Sequence, residues 1–330
     1  MTKKLFVSGM FRSGTTLLAK LLNSHKDITI SSDAFFSVFK FSRNKFFKIK
    51  EYHRPFSDYV YDKKDLKDFK RFQKFNLKNM DFNENLNDLR KKVYYDIEKF
   101  SPEILDKKFL KNKPKKYSDI LKDIFFNLKK KDTKIVGIKE VWITEFIPIL
   151  EKIDKSFKHI IIIRDPRAVV SSNFASRETY PIVFLLKQWK KIFNLSILYK
   201  KKFKNKILII KYEDLISSSR RELSRITNFL NIKNNNLNKK IGSLSWFQNS
   251  SYNSREKKFN LKSINKWKQI LSMQEKKFIE KYCFFEMEHL NYKKEHINKF
   301  NYHKDIKIPK CRKMQAKWLK NFISNKKMNK

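Results

Sequence analysis

The chain has 330 residues, with 77 Lys and Arg against 33 Asp and Glu and a formal net charge of +44. A hydrophobic share of 41% supports a core for one large domain or two smaller ones and excludes a wholly disordered basic protein. The two cysteines, Cys283 and Cys311, exclude a disulfide framework and a Cys-based zinc site, and no apolar run approaches the ~20 residues that cross a bilayer.

The first residues run directly into a strand pattern and leave no room for a signal peptide, so a soluble, cytoplasmic protein is expected. Lys4 to Ser8 predicts a buried strand, and Thr15 to Ser24 predicts a helix with Leu17, Leu18, Leu21 and Leu22 on one face. Thr29 to Ser31 predicts a short second strand. From about residue 36 to about residue 130 the strand signal fades into Phe, Tyr and Leu among many Lys and Asp, the pattern of a helical insertion that covers or shapes a site. Strands return at Thr133 to Ile138, Lys158 to Ile163 and Lys206 to Ile210, separated by helical patterns. That alternation predicts an α/β fold with a parallel sheet flanked by helices. Residues 1–295 are expected to form this single domain, and 296–330 a basic C-terminal helix or tail.

The most informative segment is Val7-Ser-Gly-Met-Phe-Arg-Ser-Gly-Thr-Thr-Leu17, a strand, a turn and a helix start. It aims successive backbone N–H groups and the positive end of a helix dipole at one anion. Gly9, Gly14 and Thr16 match the nucleotide-triphosphate loop pattern G-x-x-x-x-G-K-[ST], but Thr15 stands where its Lys belongs. That Lys reaches the β- and γ-phosphates, so its absence disfavours ATP or GTP cleavage and leaves Arg12 as the local cation. In the second cluster, His159-Ile-Ile-Ile-Ile-Arg-Asp-Pro-Arg-Ala-Val-Val-Ser-Ser172, a strand ends at Arg164 and a helix begins near Arg167. Arg164 and Ser172 would converge on an anion at the carboxyl edge of the sheet; a plain Arg164–Asp165 surface pair capping the helix is the competing reading.

These two segments together resemble the sulfotransferases that use 3′-phosphoadenosine 5′-phosphosulfate (PAPS) and release 3′-phosphoadenosine 5′-phosphate (PAP). The family's 5′-phosphosulfate loop is similar to Arg12-Ser-Gly-Thr-Thr16, and its 3′-phosphate motif to Arg164-Asp-Pro-Arg167 with Ser172. Tyr212-Glu-Asp-Leu215 and Trp267-Lys-Gln-Ile-Leu271 follow in family order, and the donor motifs look closest to the Golgi-type tyrosylprotein and bacterial branches. The resemblance implies a P-loop NTPase-like sheet and in-line sulfuryl transfer without a metal. Arg12, Ser13, Gly14, Thr15 and Thr16 would hold the 5′-phosphate end. Arg164 and Ser172 would hold the 3′-phosphate, with Lys257 as a further contact. The acceptor would be a hydroxyl, or an amine, on a carbohydrate, lipid, peptide or small molecule. In the tyrosine-modifying branch a Glu general base occupies the offset held here by Asp33, which is one methylene shorter. Asp33 is therefore the first candidate base, against a reading as the N-cap of a helix starting at Ala34. Glu140 is the second candidate. Lys139 resembles a family Lys that stabilises the transferring group, against a reading as a solvated Lys at a strand end. Neither His25 nor His159 sits where the small-molecule branch carries its His; His25 is expected to end the first helix, where positive charge is favourable.

Only 13 of the 77 cations are Arg, and the Lys residues travel with Asn, Ile and Phe along the whole chain, the mixture AT-rich codons produce. The net charge accordingly fits a Lys-rich solvated surface, or an anionic partner such as the face of an anionic membrane. The alternative of a basic nucleotide- or nucleic-acid-binding protein without catalysis rests on charge alone, since no nucleic-acid motif accompanies it.

Overall fold

A computed structural model of the chain describes residues 2–33, 35–46, 93–99, 133–141, 143–175, 180–233 and 259–297, with 74 and 309 standing alone. Strand β1 (Lys3–Gly9) leads into helix α1 (Thr15–Asn23), β2 (Ile28–Ser32) and α2 (Phe36–Phe46). A helical segment at 93–99 precedes β3 (Ile135–Val141), α3 (Ile147–Ile153), β4 (Phe157–Ile163), α4 (Pro166–Ala175) and the long α5 (Ile182–Phe203). Then come β5 (Ile207–Lys211), α6 (Tyr212–Ser217), α7 (Ser219–Leu230), α8 (Lys262–Asn265), α9 (Trp267–Ile270), α10 (Met273–Tyr282) and α11 (Phe284–His289).

The five strands form one sheet in the order β2-β3-β1-β4-β5, and every pairing is parallel. Near-continuous apolar runs such as Ile160 to Ile163 suit strands covered on both faces. Successive side chains alternate between two cores. Phe6, Ile138, Ile161 and Ile163 join Phe39, Phe146 and Trp189 on one face, while Leu5, Val7, Ile160 and Ile162 meet Leu18, Leu22 and Leu223 on the other.

The strands stand where their apolar runs predict, with one difference that matters. β3 does not stop at Ile138 but pairs with β1 through Val141, opposite Gly9. Lys139 and Glu140 therefore lie inside the sheet, both buried, so the competing reading of Lys139 as a solvated residue at a strand end does not hold. Of the expected helical insertion, 36–46 and 93–99 are helical; apart from residue 74 the rest of it lies outside the described residues, as do Lys257, Cys311 and nearly all of 298–330.

With four Gly in the whole chain, helix ends are closed by other means. Asn231, at φ 54, takes the left-handed position after α7, and Asn291, at φ 55, does so after α11. Asn tolerates that conformation better than other residues with a Cβ. Lys side chains then donate to the last carbonyls: Lys3 and Lys158 to Leu230 and Phe229 at the end of α7, Lys190 to Tyr282 of α10, and Lys211 to Leu290 beyond α11. Part of the basic composition thus serves helix termini.

Candidate active site

The chain leaves β1 toward β2 on one side of the sheet, then crosses β1 on its way from β3 to β4 on the other. A crevice at the carboxyl ends of the strands follows from that reversal. All five carboxyl ends carry residues singled out by the sequence or next to them: Arg12 after β1, Asp33 after β2, Lys139 and Glu140 in β3, Arg164 after β4 and Tyr212 after β5.

The loop after β1 is held tightly. Ser13 N–H donates to the Met10 carbonyl at 3.1 Å, and Arg12 at φ 66 and Gly14 at φ 89 both turn left-handed. A Cβ on Gly14 would stand 2.4 Å from the ring of Tyr212, and one on Gly9 would stand 2.4 Å from the Ile162 carbonyl, so glycine is required at both positions. Gly14 serves as N-cap of α1 without a side-chain cap, and no acid occupies the first turn. The amides of Thr15, Thr16 and Leu17 thus lack the usual capping carboxylate or hydroxyl, and the positive end of the dipole faces the crevice uncompensated. The Ser13 hydroxyl is buried and takes no hydrogen bond among the described residues.

Arg164 joins this loop to the other side of the crevice. Its guanidinium donates to the Arg12 carbonyl at 2.9 Å and the Ser263 carbonyl at 2.7 Å, and lies 4.2 Å from the centre of the Tyr212 ring. The Tyr212 hydroxyl in turn shares a 2.8 Å hydrogen bond with Ser263 Oγ, and Trp189 Nε1 donates to the Arg164 carbonyl at 2.8 Å. Asp165 does not form the surface pair with Arg164 of the competing reading. It is buried and paired with Arg167, whose Nη1 also donates to Glu280 at 2.6 Å and whose guanidinium stacks 4.0 Å from Trp267. Arg167 is therefore a structural clasp. Two more contacts tie the C-terminal helices to this edge: Glu213 accepts from Asp165 N–H at 3.0 Å and from the Tyr292 hydroxyl at 2.8 Å. Ser172 lies half-buried on α4, beyond the clasp.

On the β2–β3 side, Asp33 is left-handed at φ 54 and its N–H donates to the Lys139 carbonyl at 2.9 Å, prolonging the ladder by one bond. Its side chain is partly exposed, with Oδ2 ion-paired to the buried Lys139 ammonium and Oδ1 buried without a hydrogen bond to a described residue. Helix α2 starts only at Phe36 and the Asp33 carboxylate pairs with Lys139, so Asp33 is not the helix cap that the sequence allows. The Phe35 N–H goes to Glu140 Oε1 at 2.9 Å instead. Burial first, then the charge of Asp33, pushes the Glu140 carboxyl well above the ordinary carboxylate range.

The histidines serve the scaffold. His159 is buried between β4 neighbours against Phe6 and Phe157, with Nε2 2.9 Å from Glu151. His25 accepts from Asp27 N–H through Nδ1 at 3.1 Å and faces the Lys233 carbonyl through Nε2, so its ring joins two loops rather than only ending a helix. Sequence reasoning missed Ser263, Glu280 and Asp96, which no local pattern marks. Among the described residues no cluster of His, Cys, Asp and Glu could hold a metal ion, and no helix is long and apolar enough to cross a membrane.

No curated protein matches the chain. Among solved structures, the sulfotransferase domain from the curacin biosynthetic pathway is similar at 17% identity and a TM-score of 0.54, covering 89% of this chain and 99% of that one. The sulfotransferase domain from the Synechococcus PCC 7002 olefin synthase is similar at 17% identity and a TM-score of 0.50, covering 82% of this chain and 90% of that one. At such identities the likeness speaks to the fold. The family model described as "Sulfotransferase family" matches residues 4–236, from β1 through the phosphate loop, the Arg164 segment and α7. The chain therefore belongs to the sulfotransferase family and is an enzyme of sulfuryl transfer.

Proposed function

We propose that the donor is PAPS, bound across the β1–β4 crevice, and that the sulfuryl group passes to a hydroxyl-bearing acceptor on the β2–β3 side. The observation that carries this reading is the uncapped, acid-free N-terminus of α1 joined through Arg164 to the opposite wall. The residues fit such a donor: Ser13 offers a buried hydroxyl with no hydrogen bond to a described residue, and Arg164 keeps a buried Nε–H equally unpartnered. The donor supplies the sulfuryl group and an anionic leaving phosphate.

The chain's own residues have separable tasks in this scheme. Amides of Thr15, Thr16 and Leu17, with Arg12 and Ser13, bind the 5′-phosphate end and present positive potential where charge grows on the departing oxygen. Arg164 and Ser172 select the 3′-phosphate, with Lys257 as a further contact. Lys139 stabilises the transferring group while holding the Asp33 carboxylate, and Asp33 takes the proton of the acceptor hydroxyl. Residues through 297 act as one unit, because Ser263, Glu280 and Tyr292 all bond to the donor edge. Carbohydrate, lipid, peptide and small-molecule acceptors share the chemistry needed at Asp33.

Calorimetric titration in the presence of a chelator tests the donor assignment. PAP is expected to bind with micromolar or tighter affinity and to outcompete adenosine 5′-phosphate. Binding of ATP with magnesium, and no preference for a 3′-phosphate, would overturn it. Labelled-sulfate transfer from PAPS into a cell extract then identifies the acceptor.

A further inference from the structure

Glu140 occupies an unusual place for an acid. It stands in the middle strand of three, opposite Ser8 of β1, with a fully buried side chain. One carboxyl oxygen accepts the Phe35 N–H, the first described amide after the Asp33 turn. The other oxygen is buried and meets no hydrogen-bonding group among the described residues. A carboxylate in that setting would leave an ionic oxygen uncompensated. The neighbouring strand residue, Lys139, points to the opposite face and gives its ammonium to Asp33. The charged groups that act on Glu140 are Asp33 from the β2 turn, Lys139 from its own strand and Asp96 from the 93–99 segment. Two acids and one cation already surround it.

We propose that Glu140 and Asp33 carry one negative charge between them, lodged on Asp33 by Lys139, and that Glu140 is a protonated positioning residue rather than a base. Its neutral carboxyl holds the turn that presents Asp33, through the Phe35 N–H, without adding a second negative charge beside an anionic donor. The inference rests on the sulfotransfer reading of the site and removes the ambiguity between two candidate bases: the carboxylate paired with Lys139 takes the proton, and the one without a cation partner fixes its place.

The proton also has a thermodynamic signature. Burial and the Asp33 charge raise the folded-state pKa above the unfolded one. The stability from this proton is complete below the unfolded-state pKa and is lost as pH rises toward the folded-state value. Glu140→Gln holds no titrating proton, so denaturant unfolding of the variant should lack that part of the decline with rising pH.

Two measurements on the full chain decide the matter. In infrared difference spectra of wild type against Glu140→Gln at neutral pH, a protonated-carboxyl carbonyl band is expected in the wild type and lost in the variant. In transfer assays, Glu140→Ala should lower turnover into the labelled acceptor by about tenfold through the displaced turn while PAP affinity changes little, and Glu140→Gln should restore turnover to within about threefold. A wild type with PAP bound and no such band overturns the proposal, as does a Gln variant that turns over as slowly as the Ala variant. A wild type that shows the band yet binds no PAP overturns the donor reading instead.

Discussion

On the β4–β5 side of the crevice the cations have fixed partners before any ligand arrives: Arg164 holds two carbonyls and the Tyr212 face, and Arg167 holds Asp165 and Glu280. On the β2–β3 side the groups are titratable and unevenly exposed, with a half-open carboxylate, a buried ammonium and a buried acid within three residues of the sheet edge. The first arrangement is suited to recognising one constant ligand, because preorganised donors lose little freedom on binding. The second is suited to moving a proton, which needs a carboxylate whose charge state is set by its neighbours. Substitutions on the two sides should therefore separate binding from turnover.

The sharpest break is expected at Asp33. Asp33→Asn keeps the side-chain size but removes the proposed base, and turnover into the labelled acceptor should fall by about 10²–10⁴-fold. PAP affinity, measured by calorimetry, should change little. Loss of affinity in step with turnover would place Asp33 on the donor side and erase the division. On the opposite side, Arg167→Ala would strand the buried carboxylates of Asp165 and Glu280, and chemical denaturation should show a loss of about 3–5 kcal/mol. Wild-type stability in that variant would mean the clasp is not a unit.

Much of the fold was legible in the sequence, less of the site, and the reasons differ by region. The strands and the phosphate loop are local: four consecutive Ile, or two Gly five residues apart before a leucine-rich helix, carry their own signal. The β2–β3 side was only half legible. Lys139 and Glu140 look like loop residues because charge normally ends a strand, and only the pairing of β3 with β1 through Val141 keeps them in the sheet. The turn after β2 resisted reading for a related reason, since the Phe35 N–H is satisfied by an acid more than 100 residues later in the chain. Ser263, Glu280 and Tyr292 were illegible in the same way: each acts on the β4–β5 edge only through long-range contacts. Even the asparagines that end α7 and α11 became interpretable only when their left-handed backbones were seen.

Arg164→Ala tests how far the donor side is one body. A side chain that only met the 3′-phosphate would, when removed, weaken PAP and leave adenosine 5′-phosphosulfate alone. Because this guanidinium also holds the Arg12 carbonyl, its loss should loosen the 5′-phosphate loop as well. PAP affinity should fall on the order of 100-fold, with a smaller fall of about tenfold for adenosine 5′-phosphosulfate. An unchanged affinity for the second ligand would show that the loop keeps its shape without Arg164.

Ser172 provides the finest probe of the same division. It lies on α4 beyond the Asp165–Arg167 clasp, half-buried, and its neighbour Ser171 spends its hydroxyl on the Ala168 carbonyl at 3.1 Å. With Ser171 bonded locally, Ser172 is the hydroxyl of the pair proposed for the 3′-phosphate. Ser172→Ala removes one neutral donor and creates no buried charge, so PAP affinity should fall by about 1 kcal/mol, roughly fivefold, with unfolding midpoint and turnover at saturating donor unchanged. The same substitution should leave adenosine 5′-phosphosulfate binding as it is, because that ligand has no 3′-phosphate to lose contact with. A matched loss for both ligands would mean that α4 acts through the shape of the crevice, and the 3′-phosphate contact would then fall to Arg164 alone.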